Sequence, residues 1–141
     1  MREAAWLQRY RLRMTGQDRR DYRDLILWQK SMDLAVEVHE TTLRLPRHEL
    51  FGLTAQLRRA AVSIPSNIAE GAGRRTTREF MAFLHIARGS LSEVETQLRL
   101  AQRVGYLSSD NLTNADDLCV QVGRLLNAVI RGLRRRDNAT V

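Results

Sequence analysis

Residues 53–73 read LTAQLRRAAVSIPSNIAEGAG, and this stretch decides the fold because a proline lies in the middle of a helical pattern. Apolar residues recur at spacings of three and four from Leu53 through Ile64 to Ile68, which is the period of an α-helix. Pro65 lacks a backbone N–H, and its ring clashes with the carbonyl four residues earlier, at a cost of about 3 kcal/mol in a helix interior. Because the apolar period continues across Pro65, we expect the helix to kink there rather than end.

The polar residues around the proline have two interpretations. Ser63, Ser66 and Asn67 can donate hydrogen bonds to the carbonyls that a proline leaves without a donor. Asn67 and Glu70 would then lie at a bend, next to the turn at Gly71. We interpret the group as structural, shaping the bundle or a contact between subunits. A ligand or enzyme site at the bend between Asn67 and Glu70 is the alternative.

The composition favours one helical domain. The chain has 141 residues, enough for a single domain with a core, and only two prolines and eight glycines. Its single cysteine, Cys119, excludes an internal disulfide and fits a reducing compartment. No apolar run approaches the roughly 18 residues that would span a bilayer. We therefore expect a cytoplasmic protein.

Four helical segments follow from the apolar spacing. The first is predicted over about 24–43 and the second from about 49 to the glycines at 71 and 73. Thr76 and Glu79 have the spacing of a capping box, so they begin the third, and Gly105 ends it. The fourth begins at Ser108 or Ser109. The face predicted to be buried on the first helix consists of Leu27, Trp28, Ser31, Met32, Ala35, Val38, His39 and Thr42.

Four amphipathic helices with short connections predict an all-α fold, an antiparallel up-down-up-down four-helix bundle. We expect a basic, mobile N-terminal extension over residues 1–21, the bundle over 22–134 and a basic C-terminal tail over 135–141. The extension is either genuine or a start assigned upstream of Met14. The net charge is +7, of which residues 1–23 carry seven arginines against three acidic residues. Basic ends of this kind can contact phosphates, and they can equally keep a protein in solution.

The sequence offers no catalytic or metal-binding pattern. None of the three histidines follows a carboxylate by three residues, the spacing of metal sites in helical bundles. Cys119 lies on the apolar stripe of the fourth helix, so we interpret it as a buried structural residue rather than a nucleophile. The glycines of GAGRR follow no strand and precede no Lys-Ser or Lys-Thr pair, so they do not form a phosphate loop. We predict no cofactor, no metal and no enzymatic activity.

Five arginines are the candidates for binding nucleic acid. Arg58 and Arg59 lie on the second helix, and the turn into the third helix carries Arg74, Arg75 and Arg78. A helix N-terminus at that turn would offer free amides to a phosphate. An exposed, solvated turn is the alternative, and Arg58 can instead pair with a carboxylate on a neighbouring helix. No aromatic residues are interleaved with these arginines to stack on bases.

Three segments of the chain together resemble a known protein family. The segments FGLTAQLRRAAVSIPSNIAEGAGR and EFMAFLHIARGSLSEVETQLRLAQRVGYL, together with DLILWQKSMDLAVEV near the start, resemble the 23S rRNA-intervening-sequence proteins. That family consists of small bacterial four-helix-bundle proteins. It is related to the accessory proteins of diversity-generating retroelements. The resemblance runs from about Tyr22 to Leu133, and the SIPSNIAEG segment is the signature that we associate with the intervening-sequence group.

The resemblance implies an antiparallel four-helix bundle that assembles into a ring, a homopentamer. It carries over no enzymatic activity. Our first hypothesis is a non-enzymatic, oligomeric scaffold that binds nucleic acid, structured RNA above all, through pooled positive charge. The alternative is an adaptor that docks a nucleic-acid enzyme such as a reverse transcriptase. Gly89, in the middle of the third helix, predicts a close helix crossing, either within the bundle or between subunits.

Overall fold

The structure, a computed structural model, describes residues 21–139. It contains four α-helices: α1 (Ile26–Thr42), α2 (Leu53–Ala72), α3 (Thr77–Arg103) and α4 (Ser109–Ala139). Short 3-10 helices at Tyr22–Asp24 and Arg47–Glu49 precede α1 and α2. No strand occurs within 21–139, and the predicted all-α class is confirmed. The predicted mobile extension lies, apart from its last residue, outside the described residues.

The four helices form a closed bundle. Each helix packs against its neighbours in the chain, and α1 also packs against α4. Along α2 and α3 the contacts occur in reverse order, because Ser63 meets Ser90 whereas Gly71, further along α2, meets Phe83, earlier on α3. These two helices therefore run in opposite directions. The up-down-up-down order of the whole bundle and the kink at Pro65 stay predictions, although α2 does continue through the proline as one helix.

A single apolar core runs through the bundle. Its fully buried side chains come from all four helices and include Leu34, Leu57, Ile64, Ile68, Leu84, Val94, Leu98, Leu112, Val122 and Leu126. Burying one such side chain contributes about 1.5–3 kcal/mol to stability. This core, rather than hydrogen bonding at the surface, holds the helices together.

The buried face of α1 differs from the predicted one. Leu34 is fully buried but was not in the predicted set, whereas Met32 and His39 are exposed. Leu27, Ser31, Leu34, Val38 and Thr41 have the same alternating spacing of four and three residues as the predicted set. Two overlapping sets fit the helical period, and packing against α2 and α4 selects the one that contains Leu34.

The helix ends follow the predicted signals with small shifts. The Thr76 hydroxyl accepts from the backbone N–H of Glu79, and the Glu79 carboxylate accepts from Thr76, so the capping box is present. Gly105 follows α3 with a φ of 88°, a conformation that favours glycine. At the other end of the chain, α4 continues to Ala139, so residues 135–139, expected in a tail, extend the last helix.

Candidate nucleic-acid interface

A small polar group lies beside Pro65 at the interface of α2 and α3. The Ser63 and Ser90 hydroxyl oxygens are 2.8 Å apart. The side-chain amide of Asn67 donates to the Ser63 carbonyl at 2.7 Å and to its hydroxyl at 2.9 Å. The carbonyl that loses its α-helical donor at Pro65 is that of Ala61, which is six residues before Asn67 and too far along the helix for its amide. The Asn67 side chain therefore supports Ser63, which contacts α3, and does not replace the hydrogen bond that the Ala61 carbonyl loses.

α2 approaches α3 closely at Gly71. A Cβ atom at this position would lie 2.6 Å from the Cβ of Phe83 and 2.8 Å from the ring of Phe80. No side chain fits at these distances unless α3 moves. The glycine of the signature is thus needed for packing, which agrees with the structural interpretation of that segment.

The turn after Gly71 presents the first of the candidate arginines. The Arg74 guanidinium pairs with the Glu70 carboxylate at 3.1 Å and lies 4.9 Å from the centre of the Phe83 ring. Hydrogen bonds from Thr76, first from its hydroxyl, hold the pKa of Glu79 below its ordinary value. The turn is therefore fixed by its own contacts, and Arg75 is exposed beside it.

An ion pair joins this turn to the end of α4. The Arg78 Nε lies 3.2 Å from an Asp137 carboxylate oxygen. The last turns of α4 carry Arg131, Arg134, Arg135 and Arg136, of which all but Arg136 are exposed.

The region formed by residues 70–79 and 131–137, which we call the basic end, contains seven arginines and three carboxylates. Fixed positive charge of this density, open to solvent, suits phosphate groups. Sequence reasoning placed Arg134 at the last residue of the bundle and Arg135 and Arg136 in a basic tail. Their place beside the turn depends on packing between residues nearly sixty positions apart.

The other two candidate arginines lie elsewhere. Arg58 donates from Nε to the Thr42 hydroxyl at 2.9 Å, and its Nη2 lies 3.5 Å from the His39 carbonyl. It therefore holds the end of α1 against α2, but through a hydroxyl and a backbone carbonyl and not through the carboxylate that we expected as its partner. Arg59 is exposed on the outer side of α2. Both are about 20 Å along the helix from the turn, given a rise of about 1.5 Å per residue.

Within 21–139, no group of three or more histidine, cysteine, aspartate or glutamate side chains could hold a metal ion. Cys119 is buried, and burial raises the pKa of its thiol to about 12, so it is not a thiolate at neutral pH. Over the same residues, no helix has the length and apolar character needed to cross a membrane.

Comparison with known proteins agrees with this fold. A crystal structure of a protein of unknown function from the S23 ribosomal protein family of Bacteroides thetaiotaomicron matches with a TM-score of 0.67 and 23% identity. The match covers 74% of this chain and 98% of the other. None of the curated proteins matches. The family model described as 23S rRNA-intervening sequence protein matches residues 23–128. This chain belongs to the 23S rRNA-intervening sequence protein family.

Proposed function

We propose that this protein is a non-enzymatic helical scaffold that binds structured RNA through the basic end of the bundle. The observation that carries the proposal is the Arg78–Asp137 ion pair, which sets the arginines of the α2–α3 turn beside those of α4. The family's description names an intervening sequence of 23S rRNA, which makes RNA the first nucleic acid to test. Binding of this kind contacts phosphates, so it depends steeply on salt and weakly on base sequence.

The exposed guanidinium groups of Arg75, Arg134 and Arg135 are available to phosphates without breaking a contact that holds the fold. Arg74 and Arg78 keep part of their donor capacity, because each makes a single ion pair, Arg74 with the exposed Glu70 and Arg78 with the partly buried Asp137. The adaptor hypothesis has no comparable observation in its favour.

The test is RNA affinity across a salt series. We compare the full chain with the triple variant Arg75→Gln, Arg134→Gln, Arg135→Gln. The control is Arg47→Gln, Arg103→Gln, Arg124→Gln, which removes three exposed arginines outside the basic end. We expect the first variant to reduce the slope of log K against log salt by about two to three. The control should reduce this slope by a smaller amount. Equal losses would show that only net charge matters. No binding by the wild type at moderate salt would favour the adaptor.

We further propose that the scaffold is a homo-oligomer, a pentamer by resemblance. Large apolar side chains point outward on two neighbouring helices, with Val62 of α2 55% and Ile86 of α3 53% exposed. Gly89 also faces outward, and a Cβ there would meet nothing within 4 Å. The prediction that helices cross closely at Gly89 is therefore wrong within the bundle. We propose instead that Gly89 lies at a contact between subunits.

Sedimentation velocity tests the oligomer. Ile86→Asp would place a charge in the contact and shift the protein toward monomer, because an unpaired charge is costly to bury. Thr96→Asp is the control, since Thr96 is an exposed residue of α3 whose hydroxyl bonds only to the Ser92 carbonyl of its own helix. A wild type that sediments as a monomer at every concentration contradicts the proposal. A Gly89→Leu variant that assembles normally contradicts the proposed role of Gly89 in the contact between subunits.

A further inference from the structure

α1 carries an apolar strip on the side that faces away from the bundle. Met32 and Val36 on α1 and Leu43, which continues the helical backbone, follow one another at spacings of four and seven residues and so lie on one face. Their exposed fractions are 38%, 54% and 69%, whereas Leu34 on the opposite side is fully buried. A single exposed apolar side chain is ordinary, but three in line leave a contiguous strip for a partner to cover. We call these three residues the α1 strip.

The described chain begins on this same side of α1. The Tyr22 ring packs edge-on against the Trp28 ring, with the two ring centres 5.4 Å apart. The Gln29 side-chain amide donates to the Arg23 carbonyl at 2.9 Å. Trp28 and Gln29 precede Met32 by four and three residues, so they lie one turn before it on the same side of the helix. The twenty residues that come before the described chain therefore join it next to the start of the α1 strip.

The sequence of those twenty residues contains an apolar face of matching length. Trp6, Tyr10 and Met14 recur every four residues, with Leu7 beside them, which is the spacing of one face of a helix. A helix extends about 12 Å from Trp6 to Met14, and the α1 strip is about 17 Å long. The six residues that follow, TGQDRR, can span about 20 Å, which is enough for the chain to turn back onto α1. One row of side chains on a single helix suits one such segment better than the broad face of a second subunit.

The charges of the two surfaces are complementary. The first twenty residues carry six arginines against two acidic residues. Next to the strip, Asp33, Glu37 and Glu40 lie along one side of α1 at spacings of four and three residues. Within residues 21–139, Glu37 and Glu40 form no ion pair, and Asp33 pairs with Lys30 at 3.8 Å. A basic segment that covers the strip would bring its arginines close to these carboxylates.

We propose that residues 1–14 dock along the α1 strip of their own chain as an amphipathic helix, with the face that contains Trp6 and Tyr10 covering the strip. Because the segment is tethered to α1, its effective concentration is about millimolar, so a contact of modest strength is sufficient. This docked helix differs from the mobile extension that we expect from composition alone. The proposal does not depend on RNA binding.

Limited proteolysis of the full chain tests the docking, because trypsin cleaves after arginine and the segment has arginines at positions 9, 11 and 13. The initial rate of cleavage at each position is followed by mass spectrometry under native conditions. A docked helix must open before a protease can cut it, so these three sites should be protected. Val36→Gln removes apolar surface from the strip without changing the charge, and it should speed cleavage at the three sites by about fivefold or more. Trp6→Gln should have the same effect from the other side of the contact.

Val120→Gln is the matched control. Val120 is 51% exposed, close to the 54% of Val36, but it lies on α4. It shares a face of that helix with Asn127, which accepts from the Arg88 guanidinium of α3 at 3.2 Å, so it is directed toward α3 rather than α1. We expect this variant to leave the cleavage rates unchanged. Circular dichroism of both variants checks that the bundle stays folded.

Three results would overturn the proposal. The wild type could be cleaved at positions 9–13 as fast as Val36→Gln, which would show that the segment is not docked on the strip. Val120→Gln could speed cleavage as much as Val36→Gln, which would show that the strip is not the docking surface. Protection that disappears on dilution would place the segment on a second copy instead of its own chain. None of these measurements involves RNA, so their failure is separate from a failure of the basic end to bind it.

Discussion

The hydroxyl groups of Ser63 and Ser90 lie 2.8 Å apart and join the middle of α2 to the middle of α3, two residues from the helical proline. This polar contact lies within an apolar interface, and the Asn67 amide extends it by donating to Ser63. Ser90 is 8% exposed, so water does not readily replace its partner.

Removing one side of this contact should destabilise the bundle. Ser90→Ala leaves the Ser63 hydroxyl with Asn67 alone, and we expect a loss of about 1 kcal/mol in the free energy of unfolding, measured with urea. Ser92→Ala is the control, because the Ser92 hydroxyl is exposed and bonds only to the Arg88 carbonyl of its own helix. Equal stability of the two variants would mean that the contact contributes nothing.

Two glycines should respond in opposite directions to the same change. Gly71→Ala forces a methyl group to within 2.6 Å of Phe83, and we expect a loss of about 1–3 kcal/mol. Gly89→Ala meets nothing within the chain and replaces a poor helix former, so we expect a gain of up to about 1 kcal/mol. Thermal unfolding of both variants checks the pair. A Gly71→Ala variant as stable as the wild type would contradict the close approach.

Neighbouring arginines provide a third comparison. Arg58→Gln removes the hydrogen bond to the buried Thr42 hydroxyl and should cost about 1 kcal/mol of stability. Arg59→Gln changes the same charge on the exposed side of α2 and should leave stability within experimental error. Chemical denaturation of both proteins decides the matter, and a destabilised Arg59→Gln would show that net charge, not the contact, was responsible.

Alkaline pH should weaken the fold through Cys119. Its pKa is raised from an ordinary 9.0 to about 12 by burial, so the folded protein holds the thiol proton more tightly than the unfolded one. The resulting stability is fully present below pH 9 and is lost as the pH rises toward 12. Cys119→Val should therefore lose less stability than the wild type over that range in urea unfolding. Equal losses of stability in the wild type and in Cys119→Val would contradict a buried, protonated thiol.

The sequence predicted much of the fold because the local signals agree with the packing. The capping box at Thr76, the stop at Gly105 and the apolar stripe with Cys119 all occur as expected. The buried face of α1 was harder to predict, because two sets of residues, one with Leu34 and one without it, have the same helical period. Only packing against the neighbouring helices determines which set is buried. Propensity and spacing describe one helix at a time, so they do not resolve such a choice.

The candidate sites were less predictable than the fold. The turn with Arg74 and Arg75 is a local feature and could be read directly, but its pairing with the end of α4 through Asp137 joins distant parts of the chain.

Pro65 also has a consequence for how α2 opens. A proline has no amide to donate, so the ladder of backbone hydrogen bonds that makes a helix unfold as one unit is interrupted between Ile64 and Ser66. The last two turns of α2, which lead into Arg74, can then exchange their amide protons by a local opening that leaves the first three turns closed. Hydrogen exchange should therefore divide α2 at the proline, with faster exchange in the two turns that lead into Arg74.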